Sequence, residues 1–346
     1  MAIGSQIDVL SLFGRFSREQ RISLHDPKAS ELFLDSIRTS VEDALQNEAL
    51  QHGQRTQNMF EALIVSLGAY KLLKTEDTGI VHPEGDFTAP DFRLVLMDGT
   101  QWLIDVKNVF LAAPATQRLV LRKVDVDKLT AYADVTGCPL KIAVYWARWR
   151  VWSLIDAADL APISDKKLSI DMLASMQLSQ LGRVGDRLIG TKPLLTLRVI
   201  ADTNKERSIT PSGEVVYTSA AVKLLCDGNE ITDPVERDLA WTFMQYGDWD
   251  VSEPHVALDS ERLPEAVEFE WTPRERPNAG EDFEMIGTLS SIFSRYYAER
   301  TVGPDGLTQT EADLVPNWFK PLLDSTYKSD ALALWRFETQ PGRKGA

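Results

Sequence analysis

The chain has 346 residues, 44% hydrophobic and 25% charged, the balance of a soluble globular protein long enough for two domains. Cys138 and Cys226 offer no disulfide framework or metal-ligand spacing, and no run approaches the roughly 20 apolar residues of a membrane span. The N-terminus lacks the basic-then-apolar order of a secretory signal, so a reduced, cytoplasmic protein is expected.

A net charge of −14 weighs against a nucleic-acid partner, but the charge is uneven. Residues 1–156 carry 17 basic against 20 acidic side chains, whereas the remainder carries 20 against 31. A local basic face remains open to the first half only.

In chain order, Leu32, Leu34, Ile37, Val41 and Leu45 recur at helical spacing and predict a helix over 29–50. "HGQRT" interrupts, and a second helix is expected from about Thr56 to Leu73. A loop with room for a short strand, "TEDTGIVHPEGDFTA", precedes a hairpin from Pro90 to about Val109. "TQRLVLRKVDVDKLTAYADVTG" should hold a helix with Val126, Leu129 and Ala133 inward and Gly137 closing it. "LKIAVYW" is a buried strand and "VWSLI" pairs back on it. This order predicts an α/β layer, one mixed sheet covered by helices.

A domain boundary is expected in Asp159–Lys167, giving domains over 1–160 and 161–346, the second an acidic α+β unit. Its strands are "PLLTLRVIAD" and "EVVYTSAAVKLL". One helix follows Asp233 as N-cap, with Pro234 first and Glu236 completing a capping box. Another covers "EDFEMIGTLSSIFSRYYAER", and the tail "GRKGA" should fray. "GDRLIGTK" imitates a phosphate-binding loop, but its final order is wrong and a strand-like run follows it.

The hairpin carries the chemistry. A two-residue Asp98-Gly99 turn would mix charged and apolar residues on both faces. A three-residue Met97-Asp98-Gly99 loop, with glycine at the left-handed position, instead collects Phe92, Leu94, Leu96, Trp102, Ile104 and Val106 on one face. The other face then carries Asp91, Arg93, Asp105 and Lys107 at its open end, with Asp91 opposite Asp105. Cross-strand Cβ atoms lie about 4.5–5.5 Å apart, so two ionised carboxylates there repel. Either one takes a proton or a cation joins them, and Mg²⁺ suits an oxygen site that works on phosphate.

Pro90-Asp91 followed by Asp105-Val106-Lys107 resembles the PD-(D/E)XK signature of restriction-endonuclease-like nucleases, over about residues 53–156. The resemblance implies a restriction-endonuclease-like mixed sheet flanked by helices, and a Mg²⁺-dependent nuclease (Mn²⁺ substituting) acting on DNA in defence or DNA processing. It implies that Asp91, Asp105 and the Val106 carbonyl hold the ion, and that Lys107 orients or deprotonates the attacking water. Glu61, on the preceding helix, would ligate the metal or its water. A nuclease-like module that only binds nucleic acid or a protein is the alternative reading.

Lys128, Tyr132, Arg118, Arg122 and Lys123 are candidate nucleic-acid contacts, with Arg15, Arg18 and Arg21 further upstream. "YWARWRVW" interleaves Trp146, Trp149 and Trp152 with arginines, a pattern open to base stacking or to strand packing. Glu84 and Asp86 are loop charges and His82 a surface histidine on the simplest reading. The acidic second half suits a protein partner or a homodimer contact, and no membrane association is expected.

Overall fold

The computed structural model describes residues 6–76, 84–274 and 280–342, which leaves His82 and most of the basic tail outside the described residues. By internal contacts the chain divides into Met1–Arg55 and Thr56–Ala346. In the first unit, helices α1 (Gln6–Gln20) and α2 (Ala29–Leu45) meet through Phe33, whose ring lies 5.2 Å from Phe13 and 5.5 Å from Phe16.

Helix α2 ends five residues before the expected point, and α3 (Glu48–Leu67) begins at once. Asn47 sets the break: its side chain accepts from the Leu50 amide at 3.1 Å, capping α3. Gln51 closes the end of α2 by donating to the Leu45 carbonyl at 2.8 Å. "HGQRT" therefore lies inside a helix. At its other end α3 stops at Gly68, which adopts φ +71° against Asn317. Residues 70–73, expected as helix, belong to strand β1 (Tyr70–Thr75).

The hairpin forms in the register anticipated from its turn. Strands β2 (Phe92–Leu96) and β3 (Gln101–Val109) pair Phe92 with Ile104 and Leu94 with Trp102. Leu96 donates to Thr100 at 2.8 Å, and Gly99, at φ +91°, donates to the Leu96 carbonyl at 2.9 Å. Phe92, Leu94, Leu96, Trp102, Ile104 and Val106 all enter one core with Met59, Phe60, Leu63, Ile64 and Leu67 of α3.

The expected helix over 117–137 is half strand. β4 (Arg118–Arg122) precedes α4 (Lys123–Thr136), which Gly137 closes at φ +66° as anticipated. β5 (Leu140–Trp146) then lies parallel to β3, and β6 (Val151–Asp156) returns antiparallel. The five-stranded sheet has the order β1-β2-β3-β5-β6. It is a mixed sheet, with α3 on one face and, on the other, Val126, Leu129 and Ala133 of α4 packed over Leu103, Val109, Ile142 and Val144.

The segment expected to separate two domains is itself ordered. β7 (Ala161–Ser164) and β8 (Lys167–Asp171) form a hairpin whose second strand pairs with β4. Beyond it, Leu195–Ala201 and Pro264–Pro273 are the central strands of an antiparallel sheet. Helices α6 (Pro234–Tyr246) and α7 (Leu289–Thr301) pack into the same hydrophobic cluster as α3 and β2. The Trp152 indole donates to Ser294 at 3.1 Å, and the last-turn carbonyls of Val65 and Ser66 accept from Asn317 and Phe319 at 3.0 Å. A single core thus runs across residue 160, and the compact unit extends from Thr56 to Ala346.

Three local expectations are revised. Asp233 does cap α6, accepting from Val235 at 2.9 Å and Glu236 at 3.0 Å. Glu236 does not complete the box; its buried carboxylate accepts from the amides of Asp330, Ala331 and Leu332. The expected helix from 281 begins as a strand, Glu284–Thr288, before α7. Residues 188–191 are a strand, so "GDRLIGTK" is no phosphate loop. Among the described residues no helix is long and apolar enough to cross a membrane.

Candidate active site

Along β3 the odd positions Leu103, Asp105, Lys107 and Val109 face α4, while Trp102, Ile104 and Val106 face α3. Extending the β2–β3 register by one step sets Asp91 across from Asp105. Both side chains are buried. The Lys107 ammonium lies 2.5 Å from Asp105 Oδ2. Burial pulls Lys107 toward the neutral amine, but the charge and hydrogen bond of Asp105, then Asp91 and Asp125, hold it above the ordinary lysine range. Its charged form is therefore favoured by acids on both sides of the hairpin opening.

Asp91 is fixed at both oxygens. Oδ2 accepts from the Val106 amide at 2.6 Å and Oδ1 from the Gln57 side chain at 2.6 Å. Gln57 lies on α3 one turn before Glu61. Nothing in the sequence pattern singled it out, because the contact links residues 34 positions apart. Glu61 is half-buried, and burial, then the neighbouring Glu311, push its carboxyl above its ordinary value.

The donor set can take a hard dication: each carboxylate oxygen has two acceptor positions, and one donor apiece leaves room for an ion. Glu61 is not brought into that set. Among the described residues, three His, Cys, Asp or Glu ligand atoms close enough to share an ion occur only at His255, Glu268 and Glu270, on the C-terminal sheet. There Glu268 already pairs with His255 at 2.7 Å and with Arg198 at 3.1 Å.

Behind Asp91, Glu76 donates its amide to the Asp91 carbonyl at 2.8 Å. Its buried carboxylate takes Arg93 at 2.7 Å and the Tyr132 hydroxyl at 2.8 Å. Burial works to raise Glu76, yet the bonds from Arg93 and Tyr132, with the charges of Arg93 and Lys74, hold it below the usual carboxylate range. Tyr132, a candidate nucleic-acid contact, is thereby turned to an internal acid.

The candidate cations are similarly engaged. Lys128 pairs with Asp86 at 2.9 Å, Arg122 with Asp125 at 2.7 Å and Lys123 with Asp127 at 2.8 Å. Arg118 is exposed, with Asp171 its cross-strand neighbour on β8. Arg15, Arg18 and Arg21 are exposed in the first unit. Trp146 and Trp152 are buried in strand packing, the former donating to Ser153 at 2.9 Å; Trp149, in the β5–β6 turn, is exposed. Glu84 is exposed as a loop charge.

No protein-family model matches the chain, and no curated protein does. Among solved structures it is similar to Hjc of Archaeoglobus fulgidus, a Holliday junction resolvase from an archaeal hyperthermophile. That similarity has 21% identity and a TM-score of 0.28, over 35% of this chain and 90% of that one.

Proposed function

We propose that the chain is a metal-dependent nuclease of PD-(D/E)XK type, hydrolysing phosphodiester bonds in nucleic acid, with DNA the first substrate to try. The observation that carries this reading is the Lys107 ammonium set against Asp105, with Asp91 acting on it from the adjacent strand end. Asp91, Asp105 and the Val106 carbonyl would hold Mg²⁺ or Mn²⁺, which would polarise the phosphoryl oxygen and ease departure of the leaving oxygen. Lys107, kept protonated, orients the attacking water and stabilises charge developing on the phosphate. Of the two roles expected from the sequence, orientation fits a raised pKa and proton abstraction does not. Gln57 fixes one oxygen of Asp91 and leaves the carboxylate pointing toward the site.

The test is a cleavage panel on duplex, single-stranded and branched DNA and RNA with Mg²⁺ or Mn²⁺. Asp105→Ala and Lys107→Ala should abolish cutting while the circular dichroism spectrum is preserved; an unchanged rate in either removes the assigned roles. The pairing of Lys128, Arg122 and Lys123 with acids favours one second reading, a nuclease-like module that binds a protein partner. Absence of Mn²⁺ binding, together with no effect of Asp91→Asn, would select it.

A further inference from the structure

Past Lys107 the same face of β3 continues to Val109, two residues and roughly 6.6 Å along the strand. There a groove of about 900 Å³ opens between the end of β3, β4 and the start of α5 (Met172–Gln177). Such a volume is in the range of clefts that take small organic groups, roughly 300–1,000 Å³. Its lip is built rather than loose: buried Gln117 donates to the carbonyls of Leu111 at 2.9 Å and Ala113 at 2.7 Å. Its α5 side is tied in by the Met172 amide, which donates to the Gln117 carbonyl at 3.0 Å.

The lining is apolar where solvent would favour polar groups. Phe110 is 65% exposed and Leu173 74%, and Leu111 and Val120 are exposed beside them. Arg118 is the cation of the lining, with Asp171 across the strand pair. A duplex is gripped through its phosphates and needs several uncompensated cations. Here Arg122, Lys123 and Lys128 near the site are each paired with an acid. Exposed aromatic and aliphatic side chains instead suit the faces of unstacked bases.

Resting on the reading of Asp91, Asp105 and Lys107 as a nuclease site, we propose that the substrate strand is unpaired there. The base flanking the scissile phosphate lodges in this groove against Phe110. The continuity of Lys107 and Val109 on one strand face lets a single strand reach both places.

The experiment compares one sequence presented as a duplex, as a single strand, and as a duplex with a short unpaired stretch, each with Mn²⁺. The unpaired forms should be cut at least tenfold faster than the duplex. Phe110→Ala should raise KM for the single strand about tenfold at unchanged kcat and unchanged thermal midpoint, and Phe110→Trp should restore it. Equal or faster cutting of the duplex, or a KM indifferent to Phe110→Ala, overturns the inference. If no form is cut, the nuclease reading fails separately, and fluorescence anisotropy of a labelled single strand tests the groove. Weaker binding by Phe110→Ala then supports it, whereas equal binding overturns it and leaves the groove to a protein segment.

Discussion

At Lys107, burial favours the neutral amine while Asp105 and Asp91 favour the ammonium, and the carboxylates prevail. A fixed cation beside the reacting phosphate contributes in the way an oxyanion-hole donor does, so Lys107→Ala should cost about 10²–10³-fold in cleavage rate. Lys107→Arg should not restore it, because a planar guanidinium cannot occupy the place of a compact ammonium. Gln57 acts one step back. Its removal in Gln57→Ala should weaken Mn²⁺ binding about 10-fold, the lower end for loss of a group that orients a metal ligand; calorimetric titration reads this. Glu76 supplies a pH dependence. Its folded pKa is depressed, so its stabilisation is full above the unfolded carboxylate value and fades as pH falls through the folded one. Tyr132→Phe removes one cause of the depression and should move the acid-unfolding midpoint upward in pH.

The β2–β3 hairpin is the element that sets the site, and its turn can be tested without touching a catalytic group. Gly99 sits at φ +91°, and a Cβ placed there would meet nothing within 4 Å. Gly99→Ala should therefore cost backbone strain alone, about 1–2 kcal/mol, read as a lower denaturant midpoint with the same slope. The hairpin was legible beforehand because loop length and alternation are local properties. β4 and β1 were not. "RLVLR" and "YKLLKT" have apolar patterns compatible with either period, and each is a strand because a partner lies beside it, β8 for one and β2 for the other.

For the molecule as a whole, the acidic second half is no appendage. Phe60 of α3, Trp152 of β6 and Phe293 of α7 share one hydrophobic cluster, and α3 has its last carbonyls satisfied by residues 317 and 319. A chain ended after Leu160 would expose that face and leave those carbonyls without their donors. It should lose cooperative thermal unfolding and bind a hydrophobic dye, whereas two independent domains would leave the first half melting normally.

What the sequence determined on its own was the hairpin: its three-residue turn, the apolar face it presents to α3, and the placement of Asp91, Asp105 and Lys107 on the opposite face. Each follows from backbone sterics and a two-residue period acting over fewer than twenty positions. Tertiary structure decided what depends on distant partners. It brought Gln57, not Glu61, to Asp91; turned Tyr132 inward to Glu76; paired the expected phosphate-binding cations with acids; and joined two expected domains in one core. Those outcomes balance burial against charge among residues far apart in the chain, which no local pattern records.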